Sequence, residues 1–505
     1  MLITARRWAL PILVIGVLFY WPLAHVLNNG LIGSWWSTLG EPEVADSIWF
    51  TLWQALVSAV LCVVVGLPMA YVLYRRRIMG SHLWRALLTV PFAMPTIVTA
   101  IGFTVFQKRN TPHSEIGMGS LGWLEALLAS PVLWIIAAHL FVNLSVVVRT
   151  VGTAWANLSF DTEEAAALGG AGRFRIFWQI SLPQLRPALV SASATVFLYC
   201  SASYGLILVL GGGLVNSIET EIASAALVRL DLTEAGALAL VQTALSVLAF
   251  AASSAGGRSV IGFDIHEVSD RQPKVDRRDW PVLVITGLAM VGVLAPLLVV
   301  VTRAFVDTDG SFTLTNFTDL GGQGARGLLN ITLGQAALNS LRNVLVATAM
   351  ATIIGVRVAY LLSRRTASRG SARLLRFFDV LFLLPLGVST IVLGLGYLMT
   401  FGSGWLPLRS SWLVVPLIQG LMAIPLVVRV VYPALITASQ ELGEQASTDG
   451  ASATATFWNV ELPMIRLTIG AAIGYAGIVS VGEFGAANLL AYGSQATLPT
   501  VLYQL

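Results

Sequence analysis

The sequence predicts an all-α, polytopic membrane protein made of two parallel repeats of about six transmembrane helices. Three observations carry that prediction. The 505 residues are 56% hydrophobic and 11% charged, with a mean hydropathy of +0.78, too little charge to cover a soluble surface. The apolar residues gather in continuous runs matching the roughly 20 residues a helix needs to cross the hydrocarbon core, not in the alternation of a membrane β-barrel. A polar, glycine-punctuated segment occurs twice, once from Glu164 and again from Glu444.

Taken in order, eleven runs fall at about 8–27, 47–74, 83–106, 131–151, 184–210, 235–255, 281–302, 336–362, 374–400, 411–437 and 464–490. Arg6-Arg7 ahead of the first run suggests a signal peptide. The run is long for one and no small-residue cleavage site follows, so it reads as an uncleaved first span. The second run ends in Arg75-Arg76-Arg77 and the eighth in Arg364-Arg365. With the N-terminus in the cytoplasm, alternating loops put both clusters inside, as the positive-inside rule asks. The outer loops are net acidic, with Glu41, Glu43, Asp46, Glu219 and Glu221. Basic residues so placed orient the chain in a lipid bilayer, and no nucleic-acid partner is expected. Cys62 and Cys200 lie in apolar runs without disulfide or metal spacing, so core packing is their expected role.

Internal repetition organises the chain. Thr51-Leu52, Gly66, Ala70-Tyr71 and Arg75-Arg76 match Ser340-Leu341, Gly355, Ala359-Tyr360 and Arg364-Arg365. Pro91 and Thr96-Ile97-Val98 match Pro385 and Thr390-Ile391-Val392. Arg149 matches Arg429, and Tyr204-Gly205 matches Phe484-Gly485. Both polar segments follow a fourth span on the same side, so the repeats are parallel, unlike the inverted repeats of many secondary transporters. Residues 1–255 form the first repeat and 281–505 the second, joined by a charged cytoplasmic linker, 256–280. The second repeat has no counterpart of the 235–255 run, which reads either as a twelfth helix genuinely absent or, as the symmetry favours, as a truncation.

The polar segment has a local logic. Asp161-Thr162-Glu163-Glu164 reads as a helix start with an acidic cap, and Ala165-Ala166-Ala167 continues it. Gly169-Gly170 permits a turn closed to other residues, a second short helix begins near Phe174, and Pro183 opens the next span. The result is a helix-turn-helix elbow whose small residues allow close seating in another protein's groove. Two ordinary loops left by gene duplication are the plainer alternative. A match through twenty positions favours docking.

The pattern Glu-Ala-Ala, Gly, Ile-x-Leu-Pro resembles the signature of permease subunits of ABC-type importers. Two copies on one chain resemble the fused permeases of the thiamine and ferric-iron importers. Phe197-Leu198-Tyr199-Cys200 to Leu210-Gly211-Gly212 and Ser480-Val481-Gly482-Glu483-Phe484-Gly485 resemble that subfamily too. The resemblance implies a type I ABC importer permease fold in the bacterial cytoplasmic (inner) membrane. It implies two ATP-binding cassette subunits and an extracytoplasmic solute-binding protein as partners. Carried over residue by residue, it implies ATPase coupling through Glu164, Ala165, Ala166, Gly170 and Pro183, and through Glu444, Ala446, Gly450 and Pro463. Gln445 and Val460 depart from the pattern, which implies unequal contacts. Thiamine is the first implied substrate and ferric iron the second.

The chain is not expected to be an enzyme. A P-loop needs a lysine after a glycine-rich turn, and the only lysines, Lys108 and Lys274, follow Val-Phe-Gln and Arg-Gln-Pro. No catalytic residue, metal site or cofactor is expected on it; ATP and Mg belong to the partner ATPase. Glu483 is the informative charge within a span, where acidic side chains usually face a cavity or a partner. It reads either as a pathway residue for a cationic solute or as an outer-half carboxylate paired with a neighbour. Its counterpart is Ser203, and Tyr204 and Asn488 are further pathway candidates. Gly470, Gly474, Gly477 and Gly485 suggest close helix packing, and Arg149 and Arg429 suggest snorkelling ends. The rival class is an ion-gradient-driven secondary transporter, with Glu483 as its proton or sodium site. A membrane enzyme has least support.

Overall fold

A computed structural model describes residues 2–32, 35–109, 127–255, 272–306, 310–318, 331–364, 369–402, 411–438, 442 and 444–504. Residues 256–271 of the linker, Arg365 and the side chain of Glu444 lie outside the described set. The first half contains α1 (Trp8–Ile32), α2 (Pro42–Arg75), α3 (Ser81–Ala93), α4 (Thr96–Arg109) and α5 (Pro131–Ala156). It continues with α6 (Phe160–Leu168), α7 (Arg173–Ile176), α8 (Leu182–Ser201), α9 (Gly205–Gly211), α10 (Ile218–Ser224) and α11 (Leu232–Ala255). The second half contains α12 (Trp280–Ala304), α13 (Leu333–Ser363), α14 (Arg369–Leu383), α15 (Thr390–Phe401) and α16 (Val414–Ala438). It closes with α17 (Glu444–Thr448), α18 (Ala453–Thr456), α19 (Leu462–Gly482), α20 (Gly485–Leu490) and α21 (Leu498–Gln504).

Among the described residues, eight helices are long and apolar enough to cross a membrane, and three bent pairs raise the number to eleven. These three and the run at 464–490, four of the expected spans, are not single helices. The runs at 83–106 and 374–400 each turn by 97° at their break. Pro91 sits in the last turn of α3, and Pro385 in the 3-10 turn Leu384–Gly387. Proline withholds a donor and crowds the preceding turn, and the matched Thr96 and Thr390 restart the helices. The run at 184–210 bends by 57° between α8 and α9. The run at 464–490 breaks between α19 and α20. Glu483 thus lies not within a helix, as expected, but at the C-terminal cap of α19.

In the first half α2, α5 and α8 pack on one another, and in the second α13, α16 and α19 do the same. Lipid tails are as apolar as these side chains, so close approach and polar ties hold such bundles together. The first helix of each repeat crosses to the other half: α1 packs on α15, and α12 on α2 and α4. Trp8 stacks on Phe378 with ring centroids 4.4 Å apart, and Tyr20 donates to the Leu381 carbonyl at 2.8 Å. The crossings use matched glycines. A Cβ at Gly396 of α15 would stand 2.8 Å from the Pro22 carbonyl oxygen, and one at Gly102 of α4 would stand 2.8 Å from a Val300 methyl.

Short helices α10 and α21 are also equivalent. The Ile218 N–H donates to Thr51 Oγ1 at 2.9 Å, and the Leu498 N–H to Ser340 Oγ at 2.8 Å. The matched Thr51 and Ser340 thus satisfy an orphan donor at a helix start. Helix α11 packs on α8 and α1; among the described residues, no helix takes the corresponding place on α19. A Cβ at Gly470 or Gly474 would meet nothing within 4 Å, so these two glycines are not at the close helix contact expected of them.

Candidate functional site

Two features lie where the sequence placed its candidates: a cavity at the helix breaks, and the two elbows. The cavity, about 370 Å³, is bordered by the breaks of both halves: Thr96 and Ser203-Tyr204 from the first, Ser389-Thr390 and Glu483-Phe484 from the second. A helix break frees backbone donors and acceptors, which membrane proteins tolerate where the chain is buried or lines a cavity. The Ala486 N–H donates to Glu483 Oε1 at 2.8 Å. Among the described residues Glu483 Oε2 accepts no hydrogen bond, and the residue is 8% exposed. Glu483 thus borders the cavity while one of its oxygens is held by a neighbouring backbone N–H, a placement that both readings left open for it share.

The structure brings all four pathway candidates together. Tyr204 stacks on Phe484 with centroids 5.6 Å apart and planes inclined by 20°. Because these residues occupy equivalent positions in the two repeats, the stack joins the halves at one point. Asn488 Nδ2 donates to Tyr204 Oη at 2.6 Å. Ser203 is buried on the cavity wall. Arg149, expected as a snorkelling helix end, also borders the cavity, and Arg429 lies over the Phe250 ring.

Buried acids were missed. Glu219, expected as an outer-loop charge, is fully buried on α10 and accepts from Ser389 Oγ at 2.6 Å, across the two halves. Its neighbour Glu221 is also buried and pairs with Arg229 at 2.6 Å. The alternation of Ser217, Glu219 and Glu221 looks like a loop in sequence; only the packing of α10 against α2, α11 and α15 takes it into the core. Among the described residues, no three His, Cys, Asp or Glu gather as metal ligands, and Cys62 and Cys200 are buried free thiols.

The first elbow is a helix, a tight turn and a second helix. Its cap is Ser159, not Asp161: Ser159 Oγ accepts from the Asp161 N–H at 3.1 Å. The turn uses Gly170, whose φ of +83° is a left-handed value that costs other residues free energy; Gly169 stays at −74°. Gly450 repeats this with φ of +86°. A π turn, Phe177–Ser181, carries the second helix into α8, and Phe457–Glu461 does so into α19, with Pro183 and Pro463 in the first turns of those spans.

Glu164, Ala165 and Gly170 are exposed on the elbow, with Ala166 half-buried. Beside them Leu168 is 91% and Phe174 77% exposed, an apolar surface that the small-residue pattern does not mark. On the second elbow Gly450 is exposed and Ala446 half-buried. The preceding residue, Glu163, turns the other way and meets Arg75 at 2.6 Å.

Residues 62–258 and 351–505 match the family described as "Binding-protein-dependent transport system inner membrane component". The chain is similar to the thiamine transport system permease protein ThiP of Brucella abortus (strain 2308), at 28% identity over 467 residues, covering 90% of this chain and 81% of that protein. It is similar to ThiP of Escherichia coli (strain K12), at 27% identity over 524 residues, covering 98% of this chain and 91% of that protein. The sulfate transport system permease protein CysT of Escherichia coli (strain K12) is 32% identical over 255 residues, covering 48% of this chain and 89% of that protein.

Proposed function

The chain belongs to the family of binding-protein-dependent transport system inner membrane components, and from that premise we propose that it moves thiamine inward, driven through its two elbows. It is a multi-pass inner-membrane permease of the ABC importer class, fused from two repeats, and is not itself an enzyme. The finer reading places the elbows in the cytoplasm, each seated on one of two ATP-binding cassette subunits, with ATP and Mg bound there. The N-terminus lies on that side too. A solute-binding protein delivers substrate to the opposite face. Residues 1–255 and 281–505 are the two repeats, and 256–280 joins them.

The observation that supports thiamine, beyond the relatives that span both halves, is the content of the cavity. Thiamine carries a cationic thiazolium ring joined to a flat pyrimidine. Glu483 supplies a carboxylate oxygen that accepts no hydrogen bond from the described residues, and Tyr204 and Phe484 supply aromatic faces, which attract cations. ATP-driven closure of the partner ATPases would draw the elbows together and switch the cavity's access from one side to the other.

The test is uptake of labelled thiamine by proteoliposomes holding the permease, its ATPase subunits and the binding protein. Uptake should require ATP, and Glu164→Arg with Glu444→Arg should abolish both uptake and ATPase association. Accumulation of ferric iron instead would replace the substrate. Uptake without any ATPase would sink the importer reading in favour of an ion-gradient transporter.

A further inference from the structure

Arg75 and Arg364 occupy equivalent positions at the ends of α2 and α13, and each reaches a carboxylate, but from different places. Arg75 is 2% exposed. It donates to Glu163 Oε2 at 2.6 Å and to the Leu158 carbonyl at 2.9 Å, and its guanidinium lies 3.6 Å from the Phe160 ring centroid. Ser181 Oγ donates to the other Glu163 oxygen at 2.8 Å. Glu163 belongs to the elbow helix α6, and Ser181 to the root of α8.

In the second repeat the residue matching Glu163 is Gly443, and the residue matching Ser181 is Glu461. Glu461 is fully buried and pairs directly with Arg364. The acid has moved from the elbow to its root, while the joint between root and preceding span keeps an arginine and a carboxylate. A buried charge is costly without a counter-charge; the buried member is Arg75 in the first joint and Glu461 in the second.

We infer that this transposed ion pair ties each elbow to the second span of its repeat, with Arg75 and Arg364 as positioning residues for ATP-driven switching. The inference rests on the elbows being the ATPase contacts. It also makes the two halves unequal. In the first half the arginine grips the elbow helix itself. The described part of the linker adds to that grip, because Arg173 of α7 meets Asp276 at 3.0 Å and Asp279 at 3.2 Å, and Asp279 meets Arg76 at 3.1 Å. In the second half the pair grips the elbow's root.

The experiment uses the full chain with its ATPase subunits in lipid nanodiscs. Docking is read as ATPase copurification. Switching is read as the ATP-plus-vanadate change in maleimide labelling of Ser203→Cys, in a Cys62→Ala, Cys200→Ala background. Glu163→Ala should keep docking and reduce the labelling change at least fivefold. Adding Ser181→Glu, which copies the second repeat, should restore it to within twofold. Glu461→Ser should act likewise, with Gly443→Glu as its restoring partner. Full switching in Glu163→Ala, or no restoration by Ser181→Glu, would overturn the joint. If Glu163→Ala does not reach the membrane, the double variant is compared directly with the parent: parental switching supports the joint, and its loss overturns it. Docking that survives Glu164→Arg with Glu444→Arg would overturn the elbow reading on which the joint rests, and is scored separately.

Discussion

At the residue scale, Glu483 has one oxygen held by the Ala486 N–H, and among the described residues the other accepts no hydrogen bond beside the cavity. Glutamine at this position keeps the size and an acceptor while removing the charge. For a cationic substrate, Glu483→Gln should lower ATP-driven uptake about tenfold, the equivalent of ~1.4 kcal/mol, with ATPase copurification unchanged. Proteoliposome uptake checks this, and parental uptake would remove the carboxylate from the pathway. Glu483 was legible in sequence because an acid in an apolar run is rare. Glu219 was not, because its position after the fifth span made it look like loop. Its burial depends on α10 folding back against α15, a contact between residues far apart in the chain.

At the element scale, the elbows were readable as helix, glycine turn and helix, since Gly170 and Gly450 mark the two left-handed turns. Their capping was misread, because Ser159 stands two residues ahead of the acidic cluster and takes the N–H that Asp161 was expected to serve. The face proposed for docking was only half seen. Leu168 and Phe174 project from the first elbow almost fully exposed, as buried anchors of an interface would before the partner arrives. Leu168→Asp and Phe174→Asp should each change the permease's own stability by no more than about 0.5 kcal/mol. Each should weaken ATPase binding by about 2 kcal/mol, or roughly thirtyfold. Titrating the purified ATPase against nanodisc-held permease, with thermal unfolding as control, separates the two effects.

At the scale of the whole molecule, the exchange of α1 and α12 makes the two repeats interdependent. The matched crossings differ in what they would tolerate. At Gly396 a Cβ meets the backbone of Pro22, whereas at Gly102 it meets a valine side chain. Backbone yields less readily than a rotatable methyl, so Gly396→Ala should destabilise the protein by about 1–3 kcal/mol and Gly102→Ala by less. Thermal melting of the detergent-purified chain checks the order of the two, and the reverse order would contradict these crossings.

The sequence by itself determined the class, the number of apolar runs, the parallel duplication and the place of the elbows. Each of these follows from local composition or from residues compared along the chain, and none needs a long-range contact to be read. Tertiary structure alone decided that four of the runs are broken, that the breaks of both halves meet around Glu483, and that the first helices change sides. It also turned Arg75, Arg76 and Arg364 from orienting charges into paired groups. Those facts depend on which distant residue fills the space beside each side chain, and a run of apolar letters does not say which neighbour that will be.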